Sequence, residues 1–152
     1  METALSYVSE ITVKYKPKKK ILVQDRITCV EDAYKTLIRF FPEDIIQMQE
    51  MFVVLYLNRS NGIIGAYKHS IGGITGTVAD IRLILGVALK SLATSIIMAH
   101  NHPSGSLRPS RADEMLTSRI VEAAKYMDIL VQDHLILGQD CNYFSFANEG
   151  LL

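Results

Sequence analysis

Two histidines and one aspartate are the side chains of this sequence that are best suited to chemistry. His100 and His102 flank Asn101, and Asp113 follows eleven residues after the second histidine. Two imidazoles and one carboxylate suit zinc and leave its fourth tetrahedral position open, which is typical of catalytic rather than structural zinc sites. Water held at an open position becomes acidic enough to act as a nucleophile near neutral pH. The residue types and their spacing therefore predict one zinc ion held by these three side chains.

The elements around these residues are expected to bring them together. Residues 95–99 are short and apolar, which predicts a buried strand that ends at His100. Alternate side chains of an extended chain share a face, so both imidazoles converge. Residues 103–109 contain two prolines and a glycine and predict a loop, after which Ser110 begins a helix. The loop turns the chain back, so the carboxylate in the first helical turn meets the imidazoles.

The pair of Ser110 and Asp113 also has a purely structural interpretation. Serine is a preferred N-cap residue, and an acidic residue three positions later stabilises the start of a helix without any metal. Two histidines separated by one residue are likewise a weak signal when taken alone. The combination of both signals at one strand end and one helix start favours the metal site.

Three helices are predicted from apolar residues at helical spacing. The first follows a capping box of Thr28 and Glu31 and ends at Phe41, because the next residue is a proline. Thr77 is expected to cap the second helix and Ser110 the third.

The strands predict a fold of the α/β class, with a mixed sheet flanked by helices. A hairpin turn at Asn61-Gly62 joins the first two strands, which excludes a doubly wound parallel sheet. The predicted strands are Met51–Leu57, Ile63–Ile71, Ser95–Ala99, Ile129–Leu137 and Tyr143–Phe146.

Charge is balanced over the whole chain, with 16 basic and 16 acidic residues. Balance excludes a strongly basic domain that binds nucleic acid by neutralising phosphates. Residues 1–29 are nevertheless basic and predict an N-terminal arm or an edge strand, and residues 30–152 predict the folded domain. The lysines of the arm, from Lys14 to Lys20, are interpreted as a solvated surface, with a local nucleic-acid contact as the alternative.

The cellular compartment is predicted from the few cysteines and from the lack of a recognisable signal peptide or membrane-spanning segment. Cys29 and Cys141 are far apart, which indicates neither a disulfide framework nor a zinc ribbon. The first residues lack the pattern of a signal peptide, and the apolar runs are shorter than the roughly 20 residues that a bilayer requires. A soluble cytoplasmic protein without membrane contact is expected.

Residues 100–113 resemble the JAMM motif of JAB/MPN metalloproteases: His-x-His, seven residues, then Ser-x-x-Asp. The wording His-Asn-His-Pro-Ser-Gly is similar to the RadC family of bacterial proteins in particular. Segments 49–52 and 133–134 and the C-terminal tail add weaker similarity, so the resemblance covers residues 30–152. It implies a JAB/MPN fold with a cytidine-deaminase-like architecture.

The resemblance also implies roles for residues and a reaction. Glu50 would take a proton from the attacking water and deliver it to the leaving amine, and Ser110 would hold the developing oxyanion. The implied activity is zinc-dependent cleavage of a peptide or isopeptide bond, with a peptide or protein as substrate. The RadC name adds a link to DNA repair.

Two alternatives of another class stay open, a metal-dependent nuclease and a non-catalytic binding module associated with DNA repair. Nucleases often use two metal ions, and ligands for one are recognisable here. Longer RadC proteins carry a helix-hairpin-helix segment, which is not recognisable before residue 30. The oligomeric state is left open.

Four further polar residues receive simpler interpretations. His69 is expected on the surface of a strand, and Asn101 is expected to fix a loop by hydrogen bonds from the opposite face. Asp133 and His134 are interpreted as ordinary strand residues, with support of the metal ligands as the alternative.

Overall fold

Five strands form one mixed sheet in the computed structural model, which describes residues 25–73 and 78–152. Their spatial order is β2-β1-β3-β4-β5. The strands β3 and β4 are parallel, and the other three neighbouring pairs are antiparallel. The strands are β1 (Met51–Leu57), β2 (Ile63–Ile71), β3 (Ser95–Asn101), β4 (Leu130–Leu137) and β5 (Tyr143–Ser145). The predicted fold class is confirmed, since the sheet is mixed and helices cover it.

The strands β1 and β3 occupy the interior of the sheet, and every residue in both is buried. Runs of apolar residues without polar alternation suit strands that are covered on both faces. Antiparallel pairing places Phe52 opposite His100. The predicted bounds of β1 and β2 match the structure, and β3 continues two residues beyond the predicted Ala99.

Helices cover both faces of the sheet and bury separate apolar clusters. One face packs against α1 (Val30–Leu37), a 3-10 turn (Ile38–Phe40) and α2 (Glu43–Ile46). The other face packs against α3 (Ile81–Lys90) and α4 (Arg111–Lys125). The second cluster includes Phe52, Met98, Ile84 and Ile120, so the helix that carries Asp113 is anchored on the sheet by its own apolar stripe.

Two predicted helix caps are wrong. The Thr28–Glu31 capping box does not form, because α1 begins at Val30 and the backbone N–H and hydroxyl of Thr28 donate to Asp32 instead. The helix α3 begins at Ile81 with Asp80 as its N-cap, so the predicted cap by Thr77 is also wrong. Thr77 itself lies outside the described residues. Asp80 serves because its carboxylate accepts from the backbone of the second helical residue.

Residues 25–27 lie along the hairpin between β1 and β2. Arg26 forms an antiparallel bridge with Gly62, and the backbone N–H of Ile27 donates to the carbonyl of Asn61. The rest of the predicted arm, including Lys14 to Lys20, lies outside the described residues. Within the described part of the chain, no helix has the length and apolar character needed to cross a bilayer.

Candidate metal centre

The end of β3 and the start of α4 meet at His100, His102 and Asp113. The Nε2 atoms of the two histidines are 3.1 Å apart. Each also lies 3.3 Å from one carboxylate oxygen of Asp113, His100 from Oδ1 and His102 from Oδ2. His100 is buried, whereas His102 and Asp113 are partly exposed. The structure therefore brings together the three predicted ligands at a site that solvent can reach.

The cluster is compact enough to hold one metal ion. Ligand atoms about 2.0–2.1 Å from a tetrahedral zinc ion lie about 3.3–3.4 Å from each other. The Nε2–Nε2 separation of 3.1 Å is close to that value, and so is the 3.3 Å between each Nε2 and its own oxygen of the Asp113 carboxylate. Zinc binds two imidazole nitrogens and one carboxylate oxygen in many proteins, and these three ligands leave its fourth tetrahedral position open. The three side chains thus fit the predicted metal.

The remote ring nitrogens of both histidines have hydrogen-bond partners. The Nδ1 atom of His102 lies 2.8 Å from the carbonyl oxygen of Ser106, which can only accept. The proton of a neutral His102 is therefore on Nδ1, and Nε2 carries a lone pair. The Nδ1 atom of His100 lies 2.8 Å from Nε2 of His134. A partner on the remote nitrogen fixes the ring of a metal-binding histidine in one orientation.

Ser110 and Asp113 form the capping box that the structural interpretation requires. The side chain of Ser110 accepts from the backbone N–H of Asp113, and Oδ2 of Asp113 accepts from the backbone N–H of Ser110. The Ser110 hydroxyl also donates to Oδ2 at 2.7 Å. Cap and metal-site geometry coexist, because the carboxylate faces the helix start and the histidines at once. The predicted oxyanion role of Ser110 requires its hydroxyl to turn away from Asp113.

Glu50 precedes β1 and lies at the same cavity as the three candidate ligands. Glu50 lies two residues before Phe52, and His102 lies two residues after His100, the partner of Phe52 in the antiparallel register. A cavity of about 460 Å³ is lined by Glu50, His100, His102, Ser110 and Asp113, among others. Glu50 is partly buried, and its backbone bonds to Gly72 and Gly73. The structure therefore places this sequence-predicted residue at the candidate site, fifty residues away along the chain.

The electrostatics of the cluster favour a cation. Burial by itself would raise the pKa of the Asp113 carboxyl, but hydrogen bonds to His100 and His102 hold that pKa well below its usual range. The hydrogen bond to Asp113 raises the pKa of His102, against partial burial and with help from the Ser106 carbonyl. A negative carboxylate thus faces two ring nitrogens, and a cation bound between them would balance its charge.

His134 lies in a strand, as interpreted, and its contact with His100 also fits the alternative, support of a candidate metal ligand. It is fully buried, its Nε2 contacts His100, and its Nδ1 lies 2.6 Å from the hydroxyl of Thr117. Burial lowers the pKa of His134 well below its usual value, and the nearby His100 adds to that effect, which favours a neutral ring. The neighbouring Asp133 instead accepts from Ser145 and from the backbone of the C-terminal segment.

Asn101 fixes the chain on the other face, as predicted. Its amide donates to the carbonyls of Ile46 and Gln49, and its Oδ1 accepts from the backbone N–H of Met51. These bonds bracket Glu50. The surface interpretation of His69 is wrong, because the ring is partly buried beside Phe52 and accepts from the backbone N–H of Asp80.

Thr117 is the polar residue at the site that sequence reasoning missed. It lies one helical turn after Asp113, and its hydroxyl donates to the Asp113 carbonyl. The signal was available, since Asp113, Thr117, Ile120 and Ala124 follow the helical period that faces the core.

Comparison with known proteins decides the family. A family model described as a RadC-like JAB domain matches residues 27–151. The chain belongs to the RadC-like JAB domain family. This RadC-like chain is 45% identical over 136 residues to a "UPF0758 protein" of Porphyromonas gingivalis, which covers 90% of the chain and 59% of that relative. It is 40% identical over 131 residues to a "UPF0758 protein" of Flavobacterium johnsoniae, covering 86% and 56%. The RadC-like chain thus spans a little over half the length of these relatives.

Proposed function

We propose that this RadC-like domain is a metal-dependent hydrolase of the JAMM type that uses one zinc ion to cleave a peptide or isopeptide bond. The observation that supports it most is the convergence of His100, His102 and Asp113, whose candidate ligand atoms, one from each residue, lie within 4.8 Å of one another. Membership in the RadC-like JAB domain family supports the reaction class.

His100, His102 and Asp113 would hold the ion. When bound, zinc supplies a Lewis acid that polarises a carbonyl and lowers the pKa of water. Glu50 takes the proton from the attacking water and delivers it to the leaving amine, since its carboxylate belongs to the same cavity. Ser110 stabilises the oxyanion after its hydroxyl turns from Asp113 toward the substrate.

An extended substrate suits the shape of the surface around the site. The cavity of the candidate ligands contains the apolar side chains of Phe52 and Leu116. A second cavity of about 460 Å³ also borders His102 and is lined by Leu107 and by residues of the β4–β5 turn. Its lining includes Gln47, Gln139 and Asn142. A chain that crosses His102 would place residues in both cavities, on either side of the scissile bond.

The nuclease alternative receives less support. Two-metal phosphodiesterases hold ions about 3.5–4 Å apart, which requires a second set of acidic or histidine ligands. In residues 25–73 and 78–152, the candidate metal-binding clusters reduce to His100, His102 and Asp113. We therefore favour a single-ion hydrolase over a two-metal nuclease.

The test compares Glu50→Gln with Glu122→Gln on the zinc-loaded protein. Substrates are a mixture of unstructured peptides, a lysine-linked isopeptide and single- and double-stranded DNA. Loss of the Glu50 proton shuttle is expected to reduce the rate of peptide-bond cleavage by about 10²–10⁴-fold without weakening zinc binding. Glu122 is exposed on α4 and serves as the matched control, with an unchanged rate. Zinc-dependent DNA cleavage that is abolished by His100→Ala would overturn the proposal.

A further inference from the structure

We propose that Thr117 and His134 form a hydrogen-bond relay that keeps the proton of His100 on Nδ1 and so leaves its Nε2 free to bind a metal ion. Thr117 and His134 act as positioning residues, since each acts through His100. The inference deepens the proposed function and rests on the metal site within it, not on the identity of the substrate.

The direction of the relay follows from counting protons. The Thr117 hydroxyl has one proton, and the carbonyl oxygen of Asp113, 2.7 Å away, can only accept it. The same hydroxyl oxygen lies 2.6 Å from Nδ1 of His134, so it must accept from that nitrogen. A neutral His134 then has a bare Nε2, which accepts from Nδ1 of His100 at 2.8 Å. The remaining nitrogen of His100 is Nε2, the atom that faces Asp113.

The opposite direction leaves one contact without a proton. If the Thr117 hydroxyl donated to His134, the hydroxyl oxygen and the Asp113 carbonyl oxygen would stand 2.7 Å apart with no hydrogen between them. Two oxygen lone pairs repel at that distance, and a donor is needed to make it favourable. That direction would also place the His100 proton on Nε2, where it would exclude a metal ion.

The surroundings prevent the relay from exchanging its partners with water. His134 and Thr117 are buried, at 0% and 1% relative exposure. The ring of Phe146 stacks on His134 at a centroid distance of 4.7 Å, and the ring of Phe52 is nearly parallel to His100 at 6.2 Å. Because no solvent replaces a missing partner, loss of the Thr117 hydroxyl must change the hydrogen bonds of the two histidines.

One helix therefore carries both a candidate ligand and the residue that orients another. Asp113 and Thr117 are one turn apart on α4, and the carbonyl of Asp113 itself begins the relay. His102 receives its orientation separately from Ser106. Both histidines thus present Nε2 to the same carboxylate by independent means.

The experiment compares Thr117→Val with Thr117→Ser in the full chain. Long-range ¹H–¹⁵N correlation of the histidine rings reports which nitrogen bears the proton, measured on metal-free protein at a pH where the imidazoles are neutral. Wild type and Thr117→Ser are expected to show His100 and His134 protonated on Nδ1. Thr117→Val, which keeps the shape but loses the acceptor, is expected to shift both rings toward the Nε2-protonated form. Its zinc affinity is expected to fall about 10–100-fold, as is typical when the partner of a metal-binding histidine is lost.

The outcomes separate the relay from the proposed function. A wild-type spectrum with the His100 proton on Nε2 overturns the relay, and so do unchanged tautomers in Thr117→Val. If Thr117→Val does not fold, the wild-type spectrum and Thr117→Ser still decide the question. The expected tautomers in a protein that does not bind zinc would establish the relay and contradict the proposed function.

Discussion

The helices α3 and α4 begin on the same side of the sheet, and each begins with a carboxylate near a histidine. At α3, Asp80 caps the helix, and its carboxylate binds the guanidinium of Arg82 at 2.7 and 3.0 Å. His69 accepts from the backbone N–H of Asp80 through Nε2. The hydrogen bonds from Arg82 lower the pKa of Asp80 to about 2. The negative charge of Asp80 is therefore balanced by the guanidinium of Arg82.

The start of α4 differs in what neutralises its carboxylate. The ion pairs of Asp113 within the described residues are with His100 and His102, whose neutral forms carry no charge. Asp113 is also less exposed than Asp80, with 13% against 33% of its side chain accessible. Both helices have an acidic residue at their start. The charge of that residue is balanced by an arginine at α3, whereas at α4 a proton or a metal ion would have to balance it. What distinguishes the candidate site is therefore the pair of histidines that face the carboxylate, since an acidic helix N-cap region occurs at both helices.

The largest difference in zinc affinity between the two helix starts is expected when the carboxylate of α4 is removed. Asp113→Asn removes the charge but keeps the shape, and we expect zinc affinity to fall by more than the roughly 100-fold that loss of a supporting residue produces. The matched variant is Asp80→Asn at the start of α3, for which zinc affinity is expected to be unchanged. Equilibrium titration with zinc and a competing chelator measures both.

Equal losses of affinity in the two variants would contradict the comparison. Circular dichroism of each variant, recorded without metal, is the control for folding. Asp113→Asn retains hydrogen-bond acceptance from Ser110 through its amide oxygen, so the helix start is expected to persist.

A smaller effect is expected from pH. The pKa of His102 is raised above 6.5 by its hydrogen bond to Asp113, so a proton competes with metal already above pH 6.5. In the metal-free protein, the protonated form contributes stability that is lost as pH rises through this pKa. Zinc affinity changes in the opposite direction and is expected to fall about tenfold for each pH unit below the pKa. Zinc titrations across the pH range measure the slope, and an affinity that does not depend on pH would exclude competition at His102.

Much of the fold could be predicted because its elements carry local signals. The seven apolar residues of β1 are buried on both faces, and the Asn61-Gly62 turn places Asn61 at a positive φ of 57°. The helix caps were harder: Thr77 has the same local preference as Asp80, and α1 begins after Cys29, whose side chain makes no cap hydrogen bond. Which residue caps a helix depends on where the core-facing stripe begins, and packing decides that.

The residues of the candidate site also include some that the sequence predicts and some that it does not. His100, His102 and Asp113 were predictable because the spacing of a strand end and a helix start controls their approach. His134 was not, since its place beside His100 depends on the register of the parallel pair β3–β4. Thr117 was missed because its place on the core-facing stripe of α4 does not by itself say which side chain its hydroxyl contacts. Its role appears only once the helix and two strands are packed together.

The measurement that tests the central claim most directly is zinc-edge X-ray absorption on the protein loaded with one equivalent of zinc. The account predicts one bound ion with nitrogen and oxygen neighbours at about 2.0–2.1 Å, two of them imidazoles. Asp113→Asn should abolish that spectrum at equal zinc concentration. A sulfur neighbour at about 2.3 Å would place the metal on Cys29 or Cys141 and contradict the account, and so would a protein that retains no zinc.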